Sequence, residues 1–386
     1  MEYSEILHRC FRCGYCKMPS NYIDINCPSY LSYGFETFSP GGRMWLIRAW
    51  LDNKINNSER FQEILYSCAN CGNCTVNCAF PKFKDLILLA FQAAKEKLVE
   101  KGTIPPKARD YLTNLYNHGN PYAIAQKKRS LWAKESDIEQ FSGHEYLLFV
   151  DDVGAFDERG KQITLSIALL LKKMGISFGI LGNNEISDGN DALSMGEKDL
   201  FEYLAKKNIK NFQQFGVKKI ITISPHSFNS IKKYWHALDG NFQVYHYTQI
   251  IALFKDKIKK SINNTRVCFH DPCYLGRHNL DFNSPRVILN SISGIVLNEL
   301  ERNRQNALCC GGGGGNFYTN ILSPNITSAA RVRVHEALKI KAEIIAVACP
   351  ICCIMLEDAI KVENLENQIK VKEISEIISI HHITLI

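Results

Sequence analysis

No run of apolar residues in this chain is long enough to cross a bilayer. The longest, Ile344 to Leu356, covers about 13 residues and is interrupted by Pro350 and three cysteines, whereas a membrane helix needs about 20. A secretory signal is missing too: Met1-Glu2-Tyr3-Ser4-Glu5 is polar and runs straight into a cysteine motif. There is no Rossmann glycine fingerprint and no phosphate loop. Gly311 to Gly315 follows two cysteines and lacks the lysine and helix start of such a loop, so no nucleotide or flavin is expected. Charge of one sign is not concentrated either. The net charge of +7 is spread over small groups such as Lys206-Lys207 and Lys257 with Lys259-Lys260. That pattern fits solvated helix faces rather than nucleic-acid binding. These absences point to a soluble cytoplasmic chain of two or three domains, reaching the inner face of a membrane only through a partner.

Cysteine is what the chain has in quantity: 15 in 386 residues. Disulfides are one reading. Clustered Cys-x-x-Cys spacings in a reducing compartment favour metal instead. Residues 1–100 hold two tetrads. The first is Cys10, Cys13, Cys16 and Cys27, with Pro28 behind it. The second, Cys68, Cys71, Cys74 and Cys78, has the spacing of bacterial two-cluster ferredoxins, in which the fourth cysteine serves the other cluster. The expected sets are therefore Cys10, Cys13, Cys16 and Cys78 for one [4Fe-4S] cubane, and Cys68, Cys71, Cys74 and Cys27 for the other. Zinc is the alternative, but zinc sites pair two elements in which two to four residues separate the cysteines, and three cysteines in tandem overfill one. Two features depart from the compact pattern: the long gap before Cys27, and Ala79-Phe80-Pro81 where proline would follow Cys78 directly. Met44 to Leu51 and Leu86 to Val99 read as helices. Residues 101–145, with Pro105-Pro106, Gly119-Asn120-Pro121 and Trp132, read as a helical connector in which Trp132 packs.

A second concentration lies further on. Cys273 is followed by Cys309-Cys310 with five glycines, then by Cys349-Pro350-Ile351-Cys352-Cys353. Thiolates are the soft ligands that iron–sulfur clusters and zinc select. Adjacent cysteines hold two edges of a multi-iron cluster more readily than they chelate one metal. The glycines let backbone approach a bulky inorganic core. Five thiolates are one too many for a closed zinc site.

From Tyr146 the chain alternates strand and helix, which implies parallel sheets covered by helices. Strands are expected at Tyr146–Val150, Ile176–Leu181, Lys219–Ile223, Arg266–His270 and Glu343–Ala348. Helices are expected at Gln162–Met174, Lys198–Phe215, Phe228–Trp235, Arg286–Ile292, Ile326–Ile340 and Ile354–Ile360. The pattern of residues 146–260 recurs in 261–386. Laid over one another, Asp152 falls at Cys273, Ser187-Asp188 at Cys309-Cys310, and Ser224 and Ser227 at Cys349 and Cys352. The first half then reads as a scaffold without a soft thiolate set. Asp188 and His226 are left as candidates to face a shared cleft.

The N-terminal tetrads, His270-Asp271-Pro272-Cys273-Tyr274-Leu275-Gly276-Arg277-His278, Leu308-Cys309-Cys310-Gly311 and Ala348-Cys349-Pro350-Ile351-Cys352 resemble one known family. It comprises the CCG-domain iron–sulfur proteins typified by the D subunit of heterodisulfide reductase, with DsrK-type and glycolate or lactate oxidase iron–sulfur proteins among its relatives. The resemblance covers nearly the whole chain. It implies an α+β multidomain fold: a helical two-cluster ferredoxin-like domain, then two tandem α/β CCG repeats, the first lacking its cysteines. It implies that Cys273, Cys309, Cys310, Cys349 and Cys352 hold a noncubane [4Fe-4S] cluster, or zinc, in the second repeat. Cys268 and Cys353 lie outside the motif and are expected to be buried thiols. The function implied is an iron–sulfur redox subunit of an anaerobic complex, with a flavoprotein or a b-type cytochrome as partner. Its third cluster would act on a thiol or disulfide. His270 and His278, close to Cys273, are candidates to deliver protons, with His270 alternatively closing the strand end. Arg277 is a candidate to attract an anionic substrate group or to pair with Asp271. The loss of one repeat's cysteines supports a second reading, an electron-transfer subunit that links a flavoprotein to a quinone or cytochrome.

Overall fold

The structure, a computed structural model, describes residues 4–21, 23–134, 136–258, 264–322 and 328–380. Its first hundred residues form short helices. Pro40–Leu51 is longer than the expected Met44–Leu51 because Pro40 occupies its first turn and Ser39 caps it, the Ser39 Oγ accepting from Gly42 N at 3.0 Å. Glu59–Tyr66, which sequence reasoning does not mark, is capped in the same way by Ser58. Leu86–Glu100 packs across Pro40–Leu51, with Ala90, Phe91 and Ala94 buried.

Two four-stranded parallel sheets follow. The first contains β1 (Tyr146–Phe149), β2 (Phe178–Gly179), β3 (Lys219–Thr222) and β4 (Gln243–His246), in the order β2-β1-β3-β4. The second contains β5 (Thr265–Phe269), β6 (Ile295–Leu297), β7 (Ile344–Val347) and β8 (Lys370–Glu373), in the order β6-β5-β7-β8. The inner strands are near-continuous apolar runs, as strands covered on both faces must be. Strands β4, β6 and β8 are not among the expected ones, because outer strands carry exposed residues such as Gln243, Val296 and Lys370.

Register superposes the two sheets residue by residue. Thr222 pairs with His246 at the end of β3, and Val347 with Glu373 at the end of β7. Counting on from these pairs sets Ser224 at the position of Cys349 and Ser227 at that of Cys352. Phe149 pairs with Thr222, while Phe269 pairs with Ala346, one short of Val347. Phe149 therefore corresponds to His270, and Asp152 to Cys273.

The first sheet is the layer that joins the molecule. Leu147, Phe149 and Ile220 enter the core of the N-terminal helices. Leu148, Val150, Ile221 and Ile223, on the opposite face, enter the core containing Val267, Phe269 and Ile345 of the second sheet.

The helices differ from expectation in one respect that matters for the site. The last expected helix, Ile354–Ile360, begins at Pro350 and runs to Val362, so Cys352 and Cys353 sit in its first turn and Cys349 is its N-cap residue. Its counterpart is Pro225–Tyr234, where Ser224 Oγ accepts from His226 N at 3.3 Å. Cys349 makes no such cap, which leaves its sulfur to other partners. The expected helix Ile326–Ile340 is seen as Ala329–Lys339, and its Ile326-Thr327 start lies outside the described residues.

The connector does more than link. Trp132 is buried, and beside it Arg129, only 1% exposed, donates to Asp152 Oδ1 at 2.7 Å and to Val150 O at 2.8 Å. No helix among the described residues is long and apolar enough to cross a membrane.

Candidate functional site

Two cavities lie among the N-terminal helices. Cys10, Cys13, Cys16 and Cys78 line one. Cys27, Cys68, Cys71 and Cys74 line the other, with Cys16 on the wall between. Each Cys-x-x-Cys-x-x-Cys loop turns at a glycine, Gly14 at φ 87° and Gly72 at φ 74°, just before a short helix. The left-handed backbone there, open to glycine without steric cost, folds the loop so that three sulfurs converge. Buried Arg43 closes the second cavity and braces its walls, donating to Phe38 O, Ile64 O, Ser29 Oγ and Ser67 Oγ at 2.7–3.0 Å.

The second-repeat cysteines are all buried and form one chain of contacts. Cys309 Sγ is 3.7 Å from Cys273 Sγ, and Cys310 Sγ is 3.5 Å from Cys352 Sγ. Cys309 also meets Cys310, and Cys352 meets Cys349. The ring of His270 joins them: one of its nitrogens and the sulfurs of Cys310 and Cys352 lie within 4.8 Å of one another. Arg333 Nε donates to His270 Nδ1 at 3.2 Å. A guanidinium only donates, so the ring proton resides on Nε2, which is buried and has no protein partner. This orphaned N–H and five clustered sulfurs fit a sulfur-rich group bound among them. Cys268 and Cys353 are buried, and the Cys353 sulfur meets Arg159 and Glu357 instead. Cys310 borders a cavity whose apolar side includes Phe317, Leu322, Ile354 and Met355, whose polar side includes Asn316, Asn320 and Ser328, and whose charged members among the described residues are Arg331 and Asp358.

The two cysteine systems touch. The Cys71 and Cys309 side chains lie close enough to perturb one another. Arg277 spans the junction, with Nε donating to Cys71 O at 2.7 Å and Nη1 to Ala307 O at 2.5 Å. It makes no pair with Asp271, whose carboxylate is held by Arg286 at 2.7 and 2.9 Å. His278 donates from Nε2 to Asn70 O at 2.8 Å and stacks on Tyr274. Burial pushes its pKa down to about 3, so it is neutral. Sequence reasoning directs both side chains toward a substrate. They are bonded to the backbone of the Cys68–Cys74 loop.

The glycine loop faces the same way. A Cβ on Gly313 would meet Ala69 O at 2.5 Å, and one on Gly314 would strike Cys68 O. These glycines admit the backbone of the N-terminal cysteine loop, a role sequence reasoning gives to an inorganic core. Gly314 also has φ 64°. Gly314→Val is expected to cost about 2–4 kcal/mol through overpacking and backbone strain. Chemical denaturation under anaerobic conditions checks this, and an unchanged midpoint contradicts it.

Where the first repeat lacks cysteines, oxygen and nitrogen groups fill the space. Ser227 Oγ donates to Asp188 Oδ2 at 2.5 Å, and Asp152 holds Arg129. His226 reaches across to the Cys349 thiol and packs on the Tyr274 ring at 4.2 Å. Asp191 stands 3.7 Å from its Nδ1. Burial pushes Asp151 and Asp188 up to about 6 and Glu185 up to about 7. Because the folded state holds these protons more tightly than the unfolded chain, their contribution to stability is full below the unfolded pKa. It is lost as pH rises toward the folded one. For Glu185 the window runs from 4.5 to about 7. The denaturation midpoint should fall between these pH values, and Glu185→Gln should flatten part of that fall. Equal slopes in the two proteins count against it.

Comparison with known proteins agrees with this architecture. Residues 6–80 match the 4Fe-4S dicluster domain, and residues 154–232 and 267–357 match the cysteine-rich CCG domain. The chain thus carries a 4Fe-4S dicluster domain followed by two cysteine-rich CCG matches, and it is similar to heterodisulfide reductase D subunits. It is 28% identical over 400 residues to the D subunit of the dihydromethanophenazine:CoB–CoM heterodisulfide reductase of Methanosarcina barkeri, covering 97% of this chain and 93% of that one. It is 33% identical over 332 residues to the probable iron-sulfur-binding oxidoreductase FadF of Bacillus subtilis, and 31% identical over 332 residues to the EtfAB:quinone oxidoreductase of Syntrophomonas wolfei. Each of these two alignments covers 82% of this chain and 46% of the relative, so the chain spans about half their length. The CCG match includes the first repeat, although the cysteine positions there hold aspartate and serine.

Proposed function

We propose that the chain is the iron–sulfur electron-transfer subunit of a redox complex, with three cluster sites in series. Cys10, Cys13, Cys16 and Cys78 hold one [4Fe-4S] cubane, and Cys27, Cys68, Cys71 and Cys74 hold a second. Cys273, Cys309, Cys310, Cys349 and Cys352 hold a noncubane [4Fe-4S] cluster in an intact CCG repeat, preceded by a degenerate one. The single observation that carries this reading is Arg277, in the loop that follows Cys273, donating to Cys71 O at 2.7 Å and to Ala307 O at 2.5 Å, which supports the second cubane site as the neighbour of the CCG site. When bound, such clusters supply one-electron chemistry. The chain's residues fix their order, exclude water and hold one N–H, that of His270, against the CCG sulfurs. Arg277 and His278 act as struts that keep the two systems in contact.

Two readings of the far end follow from the relatives' names: a thiol or disulfide, as for heterodisulfide reductase, or a quinone. The apolar part of the lining beside Cys310 supports a quinone-linked role, since among the described lining residues Arg331 is the one cation for an anionic mixed disulfide and Asp358 opposes it. The partner is then a flavoprotein or a membrane cytochrome. That partner is then the route by which these cluster sites exchange electrons with a membrane pool. Reduced protein mixed anaerobically with menadione should be reoxidised, while an alkyl thiol leaves the EPR spectrum of the oxidised protein unchanged. A thiol-perturbed spectrum without quinone reoxidation restores the disulfide reading.

A further inference from the structure

The series has one end at the surface. Of the fifteen cysteines, only Cys13 is exposed. The surface around it is apolar at its centre and basic at its edge. Phe11 is 60% and Tyr15 43% exposed. Phe11 meets Phe80 edge-on at 5.0 Å, and both line the cavity of Cys10, Cys13, Cys16 and Cys78. The cations rest on rings. Arg12 lies 4.3 Å over Trp45, whose indole N–H donates to Cys10 O, and Arg9 and Lys82 lie 5.5 and 5.7 Å from Phe83. Glu5 offsets Arg9 in part at 3.4 Å. Arg12, which precedes the exposed cysteine in the chain, has φ 57°, a conformation that costs a residue with a side chain energy, and its guanidinium also acts on Cys10.

We propose that this face docks an acidic protein that carries one electron at a time, and that electrons enter or leave the chain here. The inference rests on the reading that Cys10, Cys13, Cys16 and Cys78 hold a cubane. In one encounter the carrier loses one electron and this site gains it, or the reverse, with no bond made or broken. The aromatic centre excludes water over the shortest path to the site. The cations orient a carboxylate-rimmed partner and raise its encounter rate. An anionic lipid surface also attracts cations and aromatic rings, but it exchanges no electron with an exposed cysteine site.

The test is anaerobic stopped-flow reduction of the cluster-loaded full chain by a purified acidic ferredoxin. The rate should fall about tenfold or more between about 50 and about 500 mM salt, as steered encounters do. Arg9→Glu with Lys82→Glu should slow it about tenfold at low salt. Reduction of the same variant by photoreduced deazaflavin should be unchanged. Iron content and the reduced-cubane EPR signals are read on every sample. Fewer than two reduced-cubane EPR signals in the unmutated protein remove the cubane reading, and this inference with it. Intact clusters with a salt-independent carrier rate that the double variant does not change overturn the docking face alone. So does binding to phosphatidylglycerol vesicles that is abolished by the double variant while the carrier rate is not.

Discussion

Replacing Cys309 with serine is expected to remove about four of about twelve irons per chain and to leave the two cubane signals in place. Quinone-linked reoxidation should fall to background, since the site between the second cubane and the cavity beside Cys310 is then empty of iron. The reasoning is geometric. Cys309 touches Cys273 and lies near Cys310 and Cys71, so it is a CCG sulfur that borders the N-terminal system. Cys352→Ser separates the two roles of Cys309. It leaves Cys309 near Cys71 and should give the same iron loss. If both variants retain about twelve irons, the five cysteines are not the ligands of a third cluster.

The second large effect lies outside the cluster sites. Arg129→Met is expected to destabilise the protein by about 3–5 kcal/mol, because Asp152 stays buried with its carboxylate unpaired. The ion pair is 2.7 Å long and both side chains are almost wholly enclosed. Adding Asp152→Asn should recover most of the loss, since the buried charge goes with its partner. Thermal unfolding followed by circular dichroism on the single and double variants measures this. A single variant as stable as the parent contradicts it.

Asp152 stands where Cys273 stands in the second sheet, so a buried ion pair occupies here the position that a thiol holds there. That substitution is readable from spacing, because Ser224-Pro225 and Cys349-Pro350 keep the same helix-starting proline. The partner is not readable. Arg129 lies in a connector with no periodic pattern, and only the fold brings it under β1. The same limit applies at the junction. Nothing in the sequence distinguishes Arg277 directed at a substrate from Arg277 bonded to Cys71 O, since both place a cation near Cys273. The glycine run is legible as a close approach but not as an approach to Cys68 and Ala69. Inner strands are legible as apolar runs. Strands β4, β6 and β8 are not, because half-exposed outer strands mix lysine and glutamine with valine and blur the alternation. The start of the last helix is hidden when the cysteines at 349 and 352 are read only as ligands. Pro350 starts that helix, and this places Cys349 and Cys352 together at its N-terminus.

The most direct test of the account is a metal count on anaerobically purified protein, with EPR spectra taken through stepwise oxidation and reduction. Three sites in series predict about twelve irons per chain, signals from two reduced cubanes, and a third centre whose signal changes when Cys309 or Cys352 is replaced. About eight irons with one zinc per chain, and only the two cubane signals, would contradict it.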